Sequence, residues 1–272
     1  MAATTFPAVA VAARRSLSRT LALYAKEAKY ELLKNTRIPV YAISTVAFPV
    51  MFYVLFGIVL GSGNPANRNE NATYMLATMG CFGVIAVALF GFGVSLAMER
   101  GQGWLQVKRA SPMPVSAYFL GKLCSAVVFS TVIMLLLLAI GFTFGGVRLP
   151  IAMAAKLVGI LVAGSIPFSA MGMAIGYFAK PNSAPGLVNL IYLPMSFCSG
   201  LWIPLFMLPH GLRVLAKVLP PYHLSQLALN AVGMANNPTP AWGHIEALIA
   251  FTLLCLGLAG WGYWRDEGKT YG

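Results

Sequence analysis

Side chains that could carry out chemistry are few in this chain, and their spacing does not match common active sites. The three histidines, at 210, 223 and 244, have no carboxylate at the spacing of a metal site. The four cysteines all lie in apolar runs without a Cys-x-x-Cys pair, which predicts buried thiols. The sequence also lacks the Walker A loop that would bind ATP. We therefore predict no catalytic residue, no metal site and no cofactor bound by this chain.

The elements that would position any functional side chain are strongly apolar. Of the 272 residues, 58% are hydrophobic and only 10% are charged, whereas a soluble domain carries about 25% charged residues. About 20 apolar residues in a helix cross the hydrocarbon core of a membrane. We predict an all-α integral membrane protein with six transmembrane helices, over about 38–61, 73–97, 118–144, 151–178, 184–202 and 245–263.

The region after the fifth predicted span does not fit a simple crossing. Residues 181–212 carry no charge, but Pro194, Pro204 and Pro209 interrupt them. Polar residues and prolines in 220–244 could not face lipid. We predict a broken fifth helix, interrupted near 200–204, followed by short re-entrant helices over about 210–218 and 222–233. The alternative is a seventh crossing within 201–216, although that stretch is short and charged.

Basic residues are distributed unevenly between the predicted loops, and this predicts the orientation. With a cytoplasmic N-terminus, 14 basic residues lie inside and five lie outside, as the positive-inside rule requires. This split also accounts for the net charge of +12 without a nucleic-acid partner. We predict a multi-pass protein of the bacterial cytoplasmic (inner) membrane with both termini in the cytoplasm. Its domains are a cytoplasmic segment (1–37), a six-span region (38–264) and a cytoplasmic tail (265–272).

The N-terminal segment has helical amphipathic spacing. Its apolar positions share one face, while Arg19 and Lys26 lie on the opposite face. This pattern predicts an interfacial helix in contact with membrane lipids, and an ordinary basic flank is the alternative. The positions that form the apolar face are Leu17, Leu21, Tyr24, Ala28 and Leu32.

The loop after the second span combines charges with an aromatic-aliphatic group. We predict a short helix over 99–110 that ends before Pro112 and Pro114, because proline disfavours helix at the residue before it. An apolar anchor with a charged rim is typical of a docking surface, and a solvated loop is the alternative. The predicted docking residues are Glu99, Arg100, Gly103, Trp104, Leu105, Lys108 and Arg109, with Val107 as a further apolar contact.

Aromatic residues occur in the first span and beside the fifth-helix break. Phe52 and Phe56 share a helical face with Phe48 and Tyr53. A substrate pathway lined by aromatic side chains is one interpretation, and lipid contact, core packing or interfacial anchoring are the alternatives. The candidate pathway residues are Phe52, Phe56, Tyr192, Phe197 and Trp202.

Two stretches resemble the type-2 ABC exporter permease family. Residues 98–114 (MERGQGWLQVKRASPMP) are similar to its cytoplasmic loop, which has an acidic-basic pair, a following glycine and a small-Pro pair. The third span then begins near Gly121-Lys122, where the family often has Gly-Lys. Residues 197–204 (FCSGLWIP) and 219–223 (LPPYH) resemble the family's broken fifth helix and the hairpin after it.

The resemblance implies the membrane subunit of an ATP-driven exporter. Two copies, or one copy and a homologue, would form the pathway, and two separate ATPase subunits would bind ATP and Mg. The exported substrates of this family are lipids, lipid-linked glycans and amphipathic drugs. An ion- or proton-coupled carrier with Lys122 or Lys156 as its charged site is the alternative. A membrane scaffold that transports nothing is the third possibility.

Overall fold

The computed structural model describes residues 17–63, 68–111, 113–235 and 240–267. All regular secondary structure in these ranges is helical, which confirms the all-α prediction for this part of the chain. Residues 1–16, the end of the predicted tail (268–272) and the side chain of Arg109 lie outside the described part. The α-helices are α1 (Leu17–Thr36), α2 (Pro39–Phe52), α3 (Arg68–Ala88), α4 (Ser95–Gly101), α5 (Trp104–Ala110), α6 (Val115–Thr143), α7 (Ile151–Ala163), α8 (Ser165–Phe178), α9 (Ala184–Cys198), α10 (His210–Ala216), α11 (Pro220–Ala231) and α12 (Ala241–Glu267).

Five continuous helical segments in the described residues are long and apolar enough to cross a membrane. They are Tyr41–Val59, Arg68–Gly101, Val115–Thr143, Ile151–Phe178 and Ala241–Asp266, and each overlaps a predicted span. The predicted fifth span corresponds to α9, which has only 15 residues and is about 22 Å long at 1.5 Å per residue. Six crossings and the re-entrant geometry therefore stay predictions.

The second crossing segment is the centre of the bundle. Within α3, the residues from Ala72 to Ala88 are almost continuously buried, and α6, α8 and α11 pack around them. At the crossing with α8, a Cβ added to Gly172 would lie 3.0 Å from the carbonyl oxygen of Ala88, and one added to Gly176 would lie 2.9 Å from Leu96 Cβ. A glycine pair four residues apart thus allows two helix backbones to approach closely.

Two π-helical segments interrupt the first and second crossings. They span Tyr53–Val59 and Leu89–Val94, and each shifts the helical phase of the residues that follow. Tyr53, at the start of the first segment, is fully buried, although its spacing in the sequence predicts the same face as its aromatic neighbours. The cysteines also differ from expectation, because Cys81 and Cys255 are buried but Cys124 is exposed.

The N-terminal helix α1 packs along the first half of α6. The Tyr24 hydroxyl lies 2.6 Å from Ser116 Oγ, and Asn35 Nδ2 donates to Ser125 Oγ at 3.0 Å. The helices approach closely at Gly121, where an added Cβ would lie 3.0 Å from the side chain of Glu27. The predicted apolar face of α1 therefore lies partly against protein, although Leu21 on that face is exposed, and the side chain of Leu17 lies outside the described part.

Candidate functional site

The predicted docking loop consists of two short helices. The predicted single helix over 99–110 is wrong, because α4 ends at Gly101 and α5 begins at Trp104. Gly103 separates them with φ 76°, in the left-handed region that favours glycine. The other end of the loop agrees with the sequence, since α5 ends at Ala110, two residues before the first proline.

This turn divides the apolar residues of the loop between the surface and the protein core. Trp104 is 55% exposed and Val107 is 61% exposed, while Leu105 is only 7% exposed. Leu105 packs in a cluster with Leu96 and Tyr118. The prediction that Leu105 faces a partner is therefore wrong, because this side chain anchors α5 to its own chain. Trp104 and Val107 remain as the exposed apolar pair.

Arg100 fixes the end of α4 to two other helices. Its guanidinium donates to the carbonyl oxygens of Tyr177 and Ala179, and Nη1 lies 3.6 Å from Asp266 Oδ1 on α12. The sequence predicts this cation at the charged rim of a docking surface. The structure instead uses it to connect the loop to the last turns of α8 and α12.

Lys108 has a similar internal role. Its ammonium pairs with the carboxylate of Glu27 on α1 and lies 4.4 Å from the ring centroid of Tyr118 on α6, within the range of a cation–π interaction. Lys108 is therefore paired within this chain, and its part in docking stays a prediction. Through these contacts α5 is attached to the helices on both sides of it.

Glu99 belongs to a buried ionic cluster that the sequence analysis did not identify. Lys122 Nζ lies 2.9 Å from Glu31 Oε1 and 3.0 Å from Glu99 Oε1, and it donates to Ser95 Oγ at 2.6 Å. Lys34 pairs with both carboxylates. Two ammonium groups and two carboxylates thus join α1, α4 and α6.

Lys122 lies at the centre of this cluster and is almost completely buried. The Lys122 side chain is 1% exposed, and burying such a cation requires paired charges and further hydrogen bonds. The Tyr118 hydroxyl supplies one of these by donating to Glu99 Oε2 at 2.5 Å. At the edge of the cluster, burial lowers the pKa of Lys34, but Glu99 and Glu31 raise it more, so its pKa is above the ordinary value.

All five candidate pathway residues belong to one aromatic cluster. Its centre is Trp202, whose ring centroid lies 4.3 Å from that of Phe52, 4.7 Å from Phe197 and 6.0 Å from Phe56. The indole nitrogen of Trp202 is buried and has no hydrogen-bond partner among the described residues. Phe197 is exposed, so the cluster reaches the surface of this chain.

Phe82 joins the other side of this cluster, and the sequence analysis missed it. Its ring stacks on Tyr192 at 4.7 Å and meets Trp202 edge-on at 5.1 Å. The Tyr192 hydroxyl donates to the carbonyl oxygen of Phe82 at 2.7 Å. No pattern distinguishes Phe82 in a continuously apolar span, so only the packing of α3 against α9 shows its place.

Comparison with known proteins agrees with this architecture. The sequence profile described as "ABC-2 type transporter" matches residues 27–232. The chain is also similar to a protein of Bacillus subtilis (strain 168) with the name "Putative transport permease YvfS". The two are 27% identical over 238 residues, which cover 86% of this chain and 94% of that relative.

Proposed function

We propose that this chain, which belongs to the ABC-2 type transporter family and is the membrane subunit of a transporter, exports its substrate. The energy would come from separate ABC ATPase subunits. These subunits would bind ATP and Mg and carry out hydrolysis in the cytoplasm. The observation that supports the proposal most directly is the loop of α4 and α5, which exposes Trp104 and Val107 on a firmly held support.

The exposed pair has the properties of a docking anchor. Tryptophan is enriched among residues that contribute most to binding when a partner buries them. Its neighbour Leu105 is buried in this chain, so docking would not need to order a flexible loop and would lose less conformational entropy. The partner would therefore meet a short preorganised helix.

The same contacts provide a route for transmitting motion. A displacement of α5 would act on α1 through Lys108 and Glu27, and Arg100 on the adjoining α4 connects the loop to α8 and α12. The ionic cluster joins the start of this loop to α6 through Lys122. We propose that ATP-driven closure of the ATPases moves these helices together as rigid bodies.

The aromatic cluster supports an amphipathic or lipid-like substrate. Its exposed side includes Phe197, and ring faces offer apolar contact without a fixed hydrogen-bond pattern. Two copies of this chain, or one copy and a homologue, would enclose the pathway. The proposed topology has six crossings, both termini in the cytoplasm of a bacterial cell, and α10 and α11 on the outer side.

The carrier alternative has less support from the structure. A coupled carrier needs an ionisable group that changes its charge or partner during transport. Lys122 is instead held by two carboxylates in a cluster of two positive and two negative groups. Lys156 is exposed, and no described residue forms an ion pair with it.

The test of docking is a Trp104→Ala variant, with Trp242→Ala as the matched control. Both indoles are exposed, but Trp242 lies at the start of α12. If Trp104 is buried in the complex, its truncation should weaken ATPase binding by about 2 kcal/mol, and the control should bind normally. The measurements are co-purification with the ATPase encoded nearest in the genome and substrate-stimulated ATP hydrolysis. Full association and full stimulation in Trp104→Ala would refute the proposed docking site.

A further inference from the structure

A basic cavity lies at the end of the bundle opposite the ionic cluster. It has a volume of about 380 Å³, and its lining includes Arg68, Asn69, Thr143 and Arg148. The continuous helical segment Arg68–Gly101 begins at this cavity and holds Glu99 near its other end, while α6 carries Lys122 in its first third and ends at Thr143. Both helical segments therefore run between this cavity and the cluster, and the cavity lies at one end of two candidate membrane spans.

The two arginines of this cavity are not neutralised within the described part of the chain. Arg68 Nη2 donates to the carbonyl oxygen of Phe144 at 2.9 Å, which leaves its other N–H groups available. Arg148 is exposed, and no described carboxylate forms an ion pair with either arginine. Glu70 lies two residues from Arg68 but forms no such pair. The cavity therefore carries two guanidinium groups with donors to spare.

Apolar side chains stand beside these charges. Phe144 lines the cavity and is 68% exposed, and Ile151 at the start of α7 is 88% exposed. Exposed apolar groups of this size at the end of a membrane span are suited to acyl chains. A cationic cavity with the exposed ring of Phe144 in its lining thus offers contacts for both parts of a lipid.

We propose that this cavity binds the phosphate headgroup of an anionic glycerophospholipid. Guanidinium groups bind phosphate oxygens through paired, charge-assisted hydrogen bonds, and basic pockets between membrane helices select anionic headgroups. Thr143 and Asn69 supply further polar groups at the wall. The site is separate from the docking loop and does not depend on which substrate is transported.

The test compares lipid retention by the full-length chain in detergent, measured by native mass spectrometry. The probes are phosphatidylglycerol and phosphatidylcholine with the same acyl chains. Wild-type protein should retain more phosphatidylglycerol. In the double variant Arg68→Gln/Arg148→Gln, the ratio of retained phosphatidylglycerol to retained phosphatidylcholine should fall by about tenfold or more, since two charge-assisted contacts are removed. Arg213→Gln is the matched control, because Arg213 is also an exposed arginine but lies on α10.

The single variant Arg148→Gln keeps the test valid if the double variant folds poorly. The Arg148 side chain is exposed and forms no ion pair with a described residue, so its removal should weaken lipid retention without unfolding the helices. Equal retention by wild type, Arg148→Gln and the control would overturn the proposal. Displacement of phosphatidylglycerol by inorganic phosphate at equal concentration would also overturn it, since the site would then bind free phosphate rather than lipid.

Discussion

Replacement of Lys122 by methionine should destabilise this protein much more than its position near the start of a span suggests. Methionine is an unbranched side chain only one heavy atom shorter than lysine, so the main loss is the charge with its hydrogen bonds. Glu31 would then keep one partner, Lys34, which it shares with Glu99. A buried group of two carboxylates and one ammonium is left with one uncompensated negative charge.

The expected magnitude follows from this imbalance. Removing one partner of a buried ion pair costs about 3–5 kcal/mol, because the remaining charge stays in a low-dielectric environment. For a protein of this size, such a loss lowers the melting temperature by on the order of 10 °C. The double variant Glu31→Gln/Lys122→Met should recover most of the loss, since Lys34 and Glu99 then form a neutral pair.

The measurement is thermal unfolding of the purified chain in detergent, followed by size-exclusion chromatography of the folded fraction. Lys156→Met is the control, because Lys156 is an exposed lysine on α7 without an ion-pair partner in the described residues, and its loss should change stability by less than about 1 kcal/mol. The reasoning fails if Lys122→Met has the same melting temperature as the Lys156→Met control, or if the double variant is less stable than Lys122→Met.

Three further outcomes are expected. A Gly172→Val variant should reduce the folded yield, because the new side chain would meet the carbonyl oxygen of Ala88 at the α3–α8 crossing; normal yield and melting would contradict this packing. Burial lowers the pKa of His223 in the folded protein, so below about pH 6.5 the folded state binds fewer protons than the unfolded state. The free energy of unfolding should therefore be highest above about pH 6.5 and decrease as the pH falls. If a His223→Asn variant keeps the same pH profile of stability, this prediction is refuted. Reporter fusions after Gly146 should be outside the cell and fusions after Lys180 inside, and a reversed pattern would disprove the orientation.

The membrane class and most of the helices could be predicted because they depend on local sequence. Twenty apolar residues suffice to indicate a possible crossing, and all five long helices overlap predicted spans. The end of α5 at Ala110 likewise follows from the nearby prolines. The break after α9 was predicted from Pro204, and Gly200 there has φ 80°.

The candidate site was harder to predict because its contacts connect distant parts of the chain. Lys122 and Glu31 are 91 residues apart, so no local spacing in the sequence connects them. The orientation of Leu105 depends on the left-handed turn at Gly103, which a glycine permits but does not require. Spacing could thus identify the loop but not which of its side chains face outwards.

The ionic cluster also has a consequence for how the protein is made. Ribosomes synthesise the chain from its N-terminus, so both carboxylates that hold Lys122, at positions 31 and 99, exist before this lysine emerges. A lone ammonium in a newly inserted helix is costly in lipid, whereas a helix that finds both partners in place can be inserted with its charge already compensated. Insertion of α6 is then coupled to the earlier placement of α1 and α4, and a chain that lacks α1 should have difficulty inserting its third crossing segment.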